Sequence, residues 1–82
     1  MPVVRITVTR VSDEGDNVIV WGRPEHAPDD SEPIGFAFQT KGEHADVGLA
    51  ERASRLACGT EAVIDCAAVT VGWNIARGLS AP

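Results

Sequence analysis

The residues whose side chains most often carry chemistry are few in this chain and far apart. The histidines are His26 and His44, and the cysteines are Cys58 and Cys66. His26 lies in an H-x-x-D-D segment that matches no standard metal-ligand spacing. The cysteines form no C-x-x-C motif, and their spacing brings no histidine near as a base. We therefore predict a solvated loop histidine, two reduced cysteines that pack as small apolar residues, and no metal site or cofactor.

Sequence motifs for catalysis are also missing. The chain has no G-x-G-x-x-G or G-x-x-x-x-G-K-[ST] phosphate loop and no G-x-S-x-G elbow. Its carboxylates lie in predicted loops. Acid–base catalysis by two carboxylates requires that they be partly buried in different environments, so that their pKa values differ. The 82 residues predict a single domain, with little room for a substrate pocket of about 300–1,000 Å³. We predict that this domain is not an enzyme.

The charge balance narrows the range of partners. Twelve Asp and Glu against seven Lys and Arg give a net charge of −5, which repels nucleic acid and acidic membranes unless the basic residues cluster. Charged residues interrupt every apolar segment well before the roughly 18 residues of a membrane span. The N-terminal residues lack the apolar run of a signal peptide. We expect a cytoplasmic protein with no membrane partner.

Alternation of apolar and polar residues predicts most of the secondary structure. Val4, Ile6 and Val8 alternate with polar residues, which is the period of a half-buried strand. Leu49, Ala53 and Leu56 instead follow the spacing of one helix face. The patterns predict strands at residues 3–11, 17–21, 34–40, 61–71 and 75–79, one helix at residues 45–57, and a loop at residues 22–33.

The resulting order, β-β-β-α-β-β, resembles that of the OB-fold. The resemblance is carried by the long strand at residues 3–11, the helix at residues 45–57, and Gly59-Thr60 leading into the strand at residues 61–71. It implies a mostly β protein, a five-stranded, partly open barrel with one helix between strands three and four. The β-grasp fold and other small five-stranded rolls with one helix stay open as alternatives.

An OB-like barrel implies a binding face on the outside of strands two and three. Single-stranded nucleic acid binds such faces through aromatic stacking and basic residues. Alternation places Val18 and Val20 inside the barrel and Trp21 outside, and it assigns Phe36 and Phe38 to the core. The candidate nucleic-acid interface comprises Arg5, Trp21, Arg23, Gln39, Lys41 and Trp73, with Trp73 reaching it from the loop between strands four and five.

The acidic loop supports an alternative function. Residues 13–32 contain seven carboxylates and one arginine, which opposes phosphate binding. Glu25, Asp29, Asp30 and Glu32 could instead meet a basic partner protein or imitate the charge of DNA. A homo-oligomer through open sheet edges, at residues 3–11 or 78–82, is compatible with either function.

Overall fold

The computed structural model describes residues 3–25, 27–28, 30–42, 45–66 and 73–80, and it describes Trp73 by its backbone only. These residues form β1 (Val3–Asp13), β2 (Asn17–Pro24), β3 (Ile34–Gln39), α1 (Val47–Ser54), β4 (Glu61–Cys66) and β5 (Trp73–Ser80). The predicted layout of five strands with one helix between β3 and β4 is confirmed.

The five strands close into a barrel in the order β1-β2-β3-β5-β4. β1 pairs antiparallel with β2 on one side and with β4 on the other. The parallel seam between β3 and β5 is the shortest, with Gly35–Ala37 facing Trp73–Ile75.

Both edges predicted for self-association are paired within this barrel. Val3–Thr7 of β1 pairs with β4, and Ser80 of β5 pairs with Val63. A second copy would have to displace these bonds, and self-association through the edges stays a prediction. Residues 81 and 82 of the second predicted edge lie outside the described residues.

The core fills the barrel as the alternation predicts. Ile6, Val8 and Val20 are no more than 1% exposed, and Phe36 and Phe38 are equally buried. α1 closes the core from one side with Ala50 and Ala53. Burial of these side chains is the main stabilising contribution in so small a domain.

A β-bulge in β1 changes which residues face outward. Val8 pairs with Gly22 and Arg10 pairs with the adjacent Trp21, so Thr9 is an extra residue on β1. Val11 then returns to the inside of the barrel, opposite Val20. Strict alternation would point Arg10 inward, and the bulge instead places it on the outer face beside Trp21.

The helix is shorter than predicted at both ends. Asp46 has extended backbone angles, and its Oδ1 accepts a hydrogen bond of 3.0 Å from the backbone N–H of Leu49, so α1 begins at Val47. α1 ends at Ser54, before the predicted residue 57. Gly59 has the left-handed conformation expected for it, with φ +88°, but in the turn that follows the helix.

Two other boundaries that bear on the site differ from the sequence prediction, and a third is only partly described. β2 continues through Gly22 to Pro24, which the sequence analysis assigned to a loop. β5 begins at Trp73, so the backbone of Trp73 belongs to a strand and the prediction of a loop position is wrong. β4 is described as far as Cys66, and the rest of the predicted strand, residues 67–71, lies outside the described residues. None of the described helices is long and apolar enough to cross a membrane.

Candidate binding face around Trp21

The candidate site lies on the outer face of the barrel, among the outward residues of β1, β2, β3 and β5. The pairing of these strands places several of the outward residues in one row across the sheet. Arg10 of β1 pairs with Trp21 of β2, and Trp21 pairs with Gly35 of β3. Gly35 pairs in turn with the backbone of Trp73 in β5. The row therefore holds both tryptophan positions, separated by a residue that has no side chain.

Arg10 and Trp21 form a cation–π pair. The guanidinium carbon of Arg10 lies 5.2 Å from the centroid of the indole ring, which is within the range of a favourable cation–π contact. Trp21 is half-buried and Arg10 is exposed. The indole Nε1 is buried and has no hydrogen-bond acceptor among the described residues. The polar end of the ring is thus turned into the protein, away from solvent.

Two open hollows adjoin Trp21, and Glu32 and Pro33 line both of them. The first, of about 430 Å³, also contacts Thr9 and Arg10. The second, of about 440 Å³, extends along the chain between β2 and β3 and is lined in addition by Pro24, Ala27, Ser31 and Ile34. We refer to Arg10 and Trp21, with Glu32 and Pro33 beside them, as the Trp21 platform.

The next outward row of the sheet extends this surface with apolar side chains. Ile19 pairs with Ala37, and Ala37 pairs with Ile75. Ile75 is 36% exposed, and Ile19 is half-buried. Ala37 between them is 0% exposed, so this row adds two separate, partly exposed apolar side chains to the Arg10–Trp21 pair rather than a continuous strip.

The predicted basic residues are largely engaged within the protein. Arg5 forms an ion pair of 3.7 Å with Glu25, and Lys41 forms one of 3.3 Å with Asp16. The Nε of Arg23 donates a hydrogen bond of 3.1 Å to the backbone oxygen of Ser31. These contacts are exposed and therefore weak, but they leave little unpaired positive charge on the face.

The structure brings together only part of the predicted nucleic-acid interface. Trp21 and Arg23 lie on neighbouring outward positions of β2, and the backbone of Trp73 lies in the same row as Trp21. The side chain of Trp73 lies outside the described part of the structure. Gln39 pairs with Asn17, four residues and roughly 13 Å along β3 from Gly35, with Lys41 beyond it. These two residues lie at the opposite end of the face from Arg23.

Arg5 lies apart from the platform, next to a hollow of about 500 Å³ at the start of β1. Val3, Val4 and Val63 line this hollow together with the Arg5–Glu25 pair. It has no aromatic side chain on which a base could stack, so we do not assign the binding function to it.

Arg10, whose guanidinium lies over the ring of Trp21, was not among the predicted site residues. The signal was present in the spacing of Val8 and Val11, which are both apolar but three residues apart. Two inward residues three apart in one strand require an extra residue between them, that is, a bulge. Read in this way, the spacing predicts a bulge next to Arg10, and the register of β1 against β2 places Arg10 outward.

The acidic loop is only partly available to a partner. Glu25 is paired with Arg5, and Asp29 lies outside the described residues. Asp30 and Glu32 are exposed and form no ion pair within the described part of the chain. The basic-partner function stays a prediction.

The described residues contain no group of three or more His, Cys, Asp or Glu that could hold a metal ion. His26 and His44 lie outside the described residues. Both cysteines are free thiols.

The two cysteines have different environments. Cys66 is fully buried in the core, as expected of a small apolar residue. Burial, and to a lesser degree the charge of Asp65, raises the pKa of the Cys66 thiol above its usual value of 9.0. The prediction of a buried side chain is wrong for Cys58, which is exposed and donates a hydrogen bond of 3.2 Å from Sγ to the backbone oxygen of Thr9.

This difference predicts a stepwise reaction with thiol reagents. One thiol per chain, Cys58, is expected to react with DTNB in the native protein, and both are expected to react in urea. The reactive species is the thiolate, so burial and the raised pKa both protect Cys66. Cys58→Ser should abolish the native reaction and Cys66→Ala should preserve it. Rapid reaction of two thiols in the native protein would contradict the position of Cys66.

No protein-family model matches this chain, and neither a curated protein nor a solved structure is significantly similar to it. The geometry of the outer face is therefore the basis on which a function can be inferred.

Proposed function

We propose that this domain is a non-catalytic binding module that holds the bases of a single-stranded nucleic acid on the Trp21 platform. The observation that carries the proposal is the Arg10 guanidinium placed over the ring of Trp21, next to open hollows on the outer face of the barrel.

Stacking supplies the affinity in this proposal. A base stacked on an aromatic side chain contributes about 1–3 kcal/mol, and the contribution tolerates any base. The guanidinium of Arg10 lies over the Trp21 ring, so a base reaches the indole by displacing it, and the planar guanidinium can then stack on the other face of that base. Ile19 and Ile75 in the next row are partly exposed apolar side chains against which a neighbouring base could lie. A duplex hides the faces of its bases, so single strands are preferred.

Electrostatics make the interaction weak and unusually insensitive to salt. The net charge is −5, and Arg5 and Lys41 already have carboxylate partners. Arg10 forms no ion pair with any described residue. The face therefore has enough free positive charge to neutralise one or two phosphates. The logarithm of the binding constant should therefore fall with the logarithm of salt concentration with a slope of about −0.7 to −1.4.

Replacing Trp21 is expected to remove most of the binding. Trp21→Ala should weaken the binding of fluorescein-labelled dT10 by roughly 5- to 150-fold, the equivalent of one lost stacking contact. Trp21→Phe keeps an aromatic face and should retain most of the affinity. Fluorescence anisotropy at low and moderate salt, with a duplex of the same length for comparison, measures these effects.

A charge-matched pair of variants separates stacking from net charge. Arg10→Ala should weaken binding, whereas Arg55→Ala, which removes the same charge from an exposed position after α1 where Arg55 pairs with Glu51, should not. If Trp21→Ala binds dT10 as tightly as the parent, stacking on Trp21 is wrong. If the parent binds no oligonucleotide even at low salt, nucleic acid is not the ligand, and the acidic loop becomes the surface to test with basic proteins.

A further inference from the structure

The placement of Glu32 gives the platform a means of selecting one base. Glu32 lines both hollows beside Trp21. It is exposed, and the ion pairs of the described residues involve Asp16, Glu25 and Glu51 instead. A carboxylate that forms no ion pair with any described residue therefore lies beside the surface on which the base would stack.

The chain around Glu32 contacts the barrel on one side and continues into it on the other. The Nε of Arg23 holds the backbone oxygen of Ser31, and the backbone N–H of Ser31 donates to the oxygen of Pro28 at 2.9 Å. Pro33 follows and restricts the backbone of Glu32 to extended angles, and β3 begins at the next residue. Glu32 thus occupies a defined position at the entry to a strand.

A carboxylate next to a stacked base reads the hydrogen-bonding edge of that base. An ionised carboxylate has two oxygen acceptors and no donor. The Watson–Crick edge of guanine presents two adjacent donors, N1–H and N2–H₂, which match the two oxygens. Thymine and uracil place a carbonyl oxygen on each side of their single N–H, and those oxygens would be repelled. Adenine and cytosine offer one amino group beside a ring-nitrogen acceptor.

We propose that Glu32 is a specificity-determining residue that selects guanine in single-stranded nucleic acid, by accepting hydrogen bonds from N1–H and N2–H₂ while the base stacks on Trp21. This inference rests on the proposed function. It also explains why a carboxylate lies beside a surface proposed to bind nucleic acid, although a carboxylate repels phosphates. The hydrogen bonds that it accepts from the base are strong because the acceptor is ionised.

The test compares nonamers that differ at one central base. The parent protein is titrated with dT9, with dT4-dG-dT4 and with the same strand carrying inosine, which lacks the N2 amino group. We expect the guanine strand to bind roughly 5- to 150-fold more tightly than dT9, the discrimination that a bidentate contact to a base provides. The inosine strand should fall between the two, since it keeps only N1–H.

Two matched variants assign the preference to one carboxylate. Glu32→Gln should bind the guanine strand and dT9 within about 2-fold of each other, and its affinity for dT9 should not fall, because the base contact of the carboxylate is made to guanine only. Asp30→Asn removes the same charge from the same loop, at an exposed residue that does not line the two hollows at Trp21, and should keep the preference.

The outcomes distinguish this inference from the proposed function. Equal binding of all three strands by the parent, lost in Trp21→Ala, would overturn the role of Glu32 and leave the stacking function intact. An unchanged guanine preference in Glu32→Gln would overturn it as well. Failure of every strand to bind would overturn both.

Discussion

Replacing Phe36 with alanine is expected to lower the free energy of unfolding by about 3–5 kcal/mol. The ring is fully buried, in the strand of the barrel that lies between β2 and β5. Its neighbours in register are Val20 and Asn74, both buried. A domain of 82 residues has a total stability of only about 4–12 kcal/mol. The substitution therefore removes a large share of that stability, and at the lower end it unfolds the protein.

Urea denaturation followed by far-UV circular dichroism measures this loss. Val47→Ala provides the matched control, because Val47 is also a large apolar residue but is 63% exposed on α1. Its substitution should change the free energy of unfolding by no more than about 0.5 kcal/mol. A loss below about 1 kcal/mol for Phe36→Ala would mean that the ring is not enclosed by the barrel.

Local alternation was sufficient to predict the inside and outside of β2. Val18 and Val20 are buried and Trp21 lies on the outer face, as the pattern N-V-I-V-W indicates. The same reasoning identified Phe36 and Phe38 as core residues. Such predictions succeed because a closed barrel buries one side of each strand, and the period of two then determines which side chains lie there.

The partners of the charged residues could not be predicted in the same way. Arg5 meets Glu25 because β1 and β2 pair in one particular register, and Lys41 meets Asp16 across the ends of two strands. Those distances depend on how strands far apart in sequence are aligned. Sequence analysis counted both basic residues toward a groove without their carboxylate partners, so it overestimated the positive charge available on the face.

The bulge at Thr9 likewise depends on how two strands are aligned with each other. It turns the side chain of Arg10 from the inside of the barrel to the outer face. Arg10 thereby becomes part of the candidate site. The spacing of Val8 and Val11 within the predicted strand at residues 3–11 indicates a bulge, but it does not say which residue between them is the extra one. Trp21 of the platform could therefore be predicted from the sequence. The position of Arg10 could not, because it depends on the register of β1 against β2.

Gly22 is required by the close packing of two strands, which neither the composition nor the apolar–polar period of the sequence reveals. Sequence analysis placed it at the start of a loop, where glycine is common. The structure places it within β2, buried and opposite Val8 of β1. A Cβ atom at this position would lie 2.5 Å from Cδ1 of Ile6 and 2.9 Å from the backbone oxygen of Thr7. The close approach of two strands, rather than a turn, requires glycine here.

Gly22→Ala is therefore expected to lower the free energy of unfolding by about 1–3 kcal/mol, the usual cost of inserting a carbon into a packed core. Ile6 is itself fully buried and cannot move away without disturbing its neighbours, and the Thr7 oxygen belongs to the paired backbone. Gly48→Ala is the matched control, because the new Cβ would meet only Asp46 Oδ1 at 3.6 Å. In the first turn of α1 the alanine should raise stability by about 0.5–1 kcal/mol. Thermal unfolding should then shift in opposite directions, by roughly 4–8 °C per kcal/mol. If both substitutions raised the midpoint, β1 and β2 could not approach as closely as the pairing of Val8 with Gly22 requires.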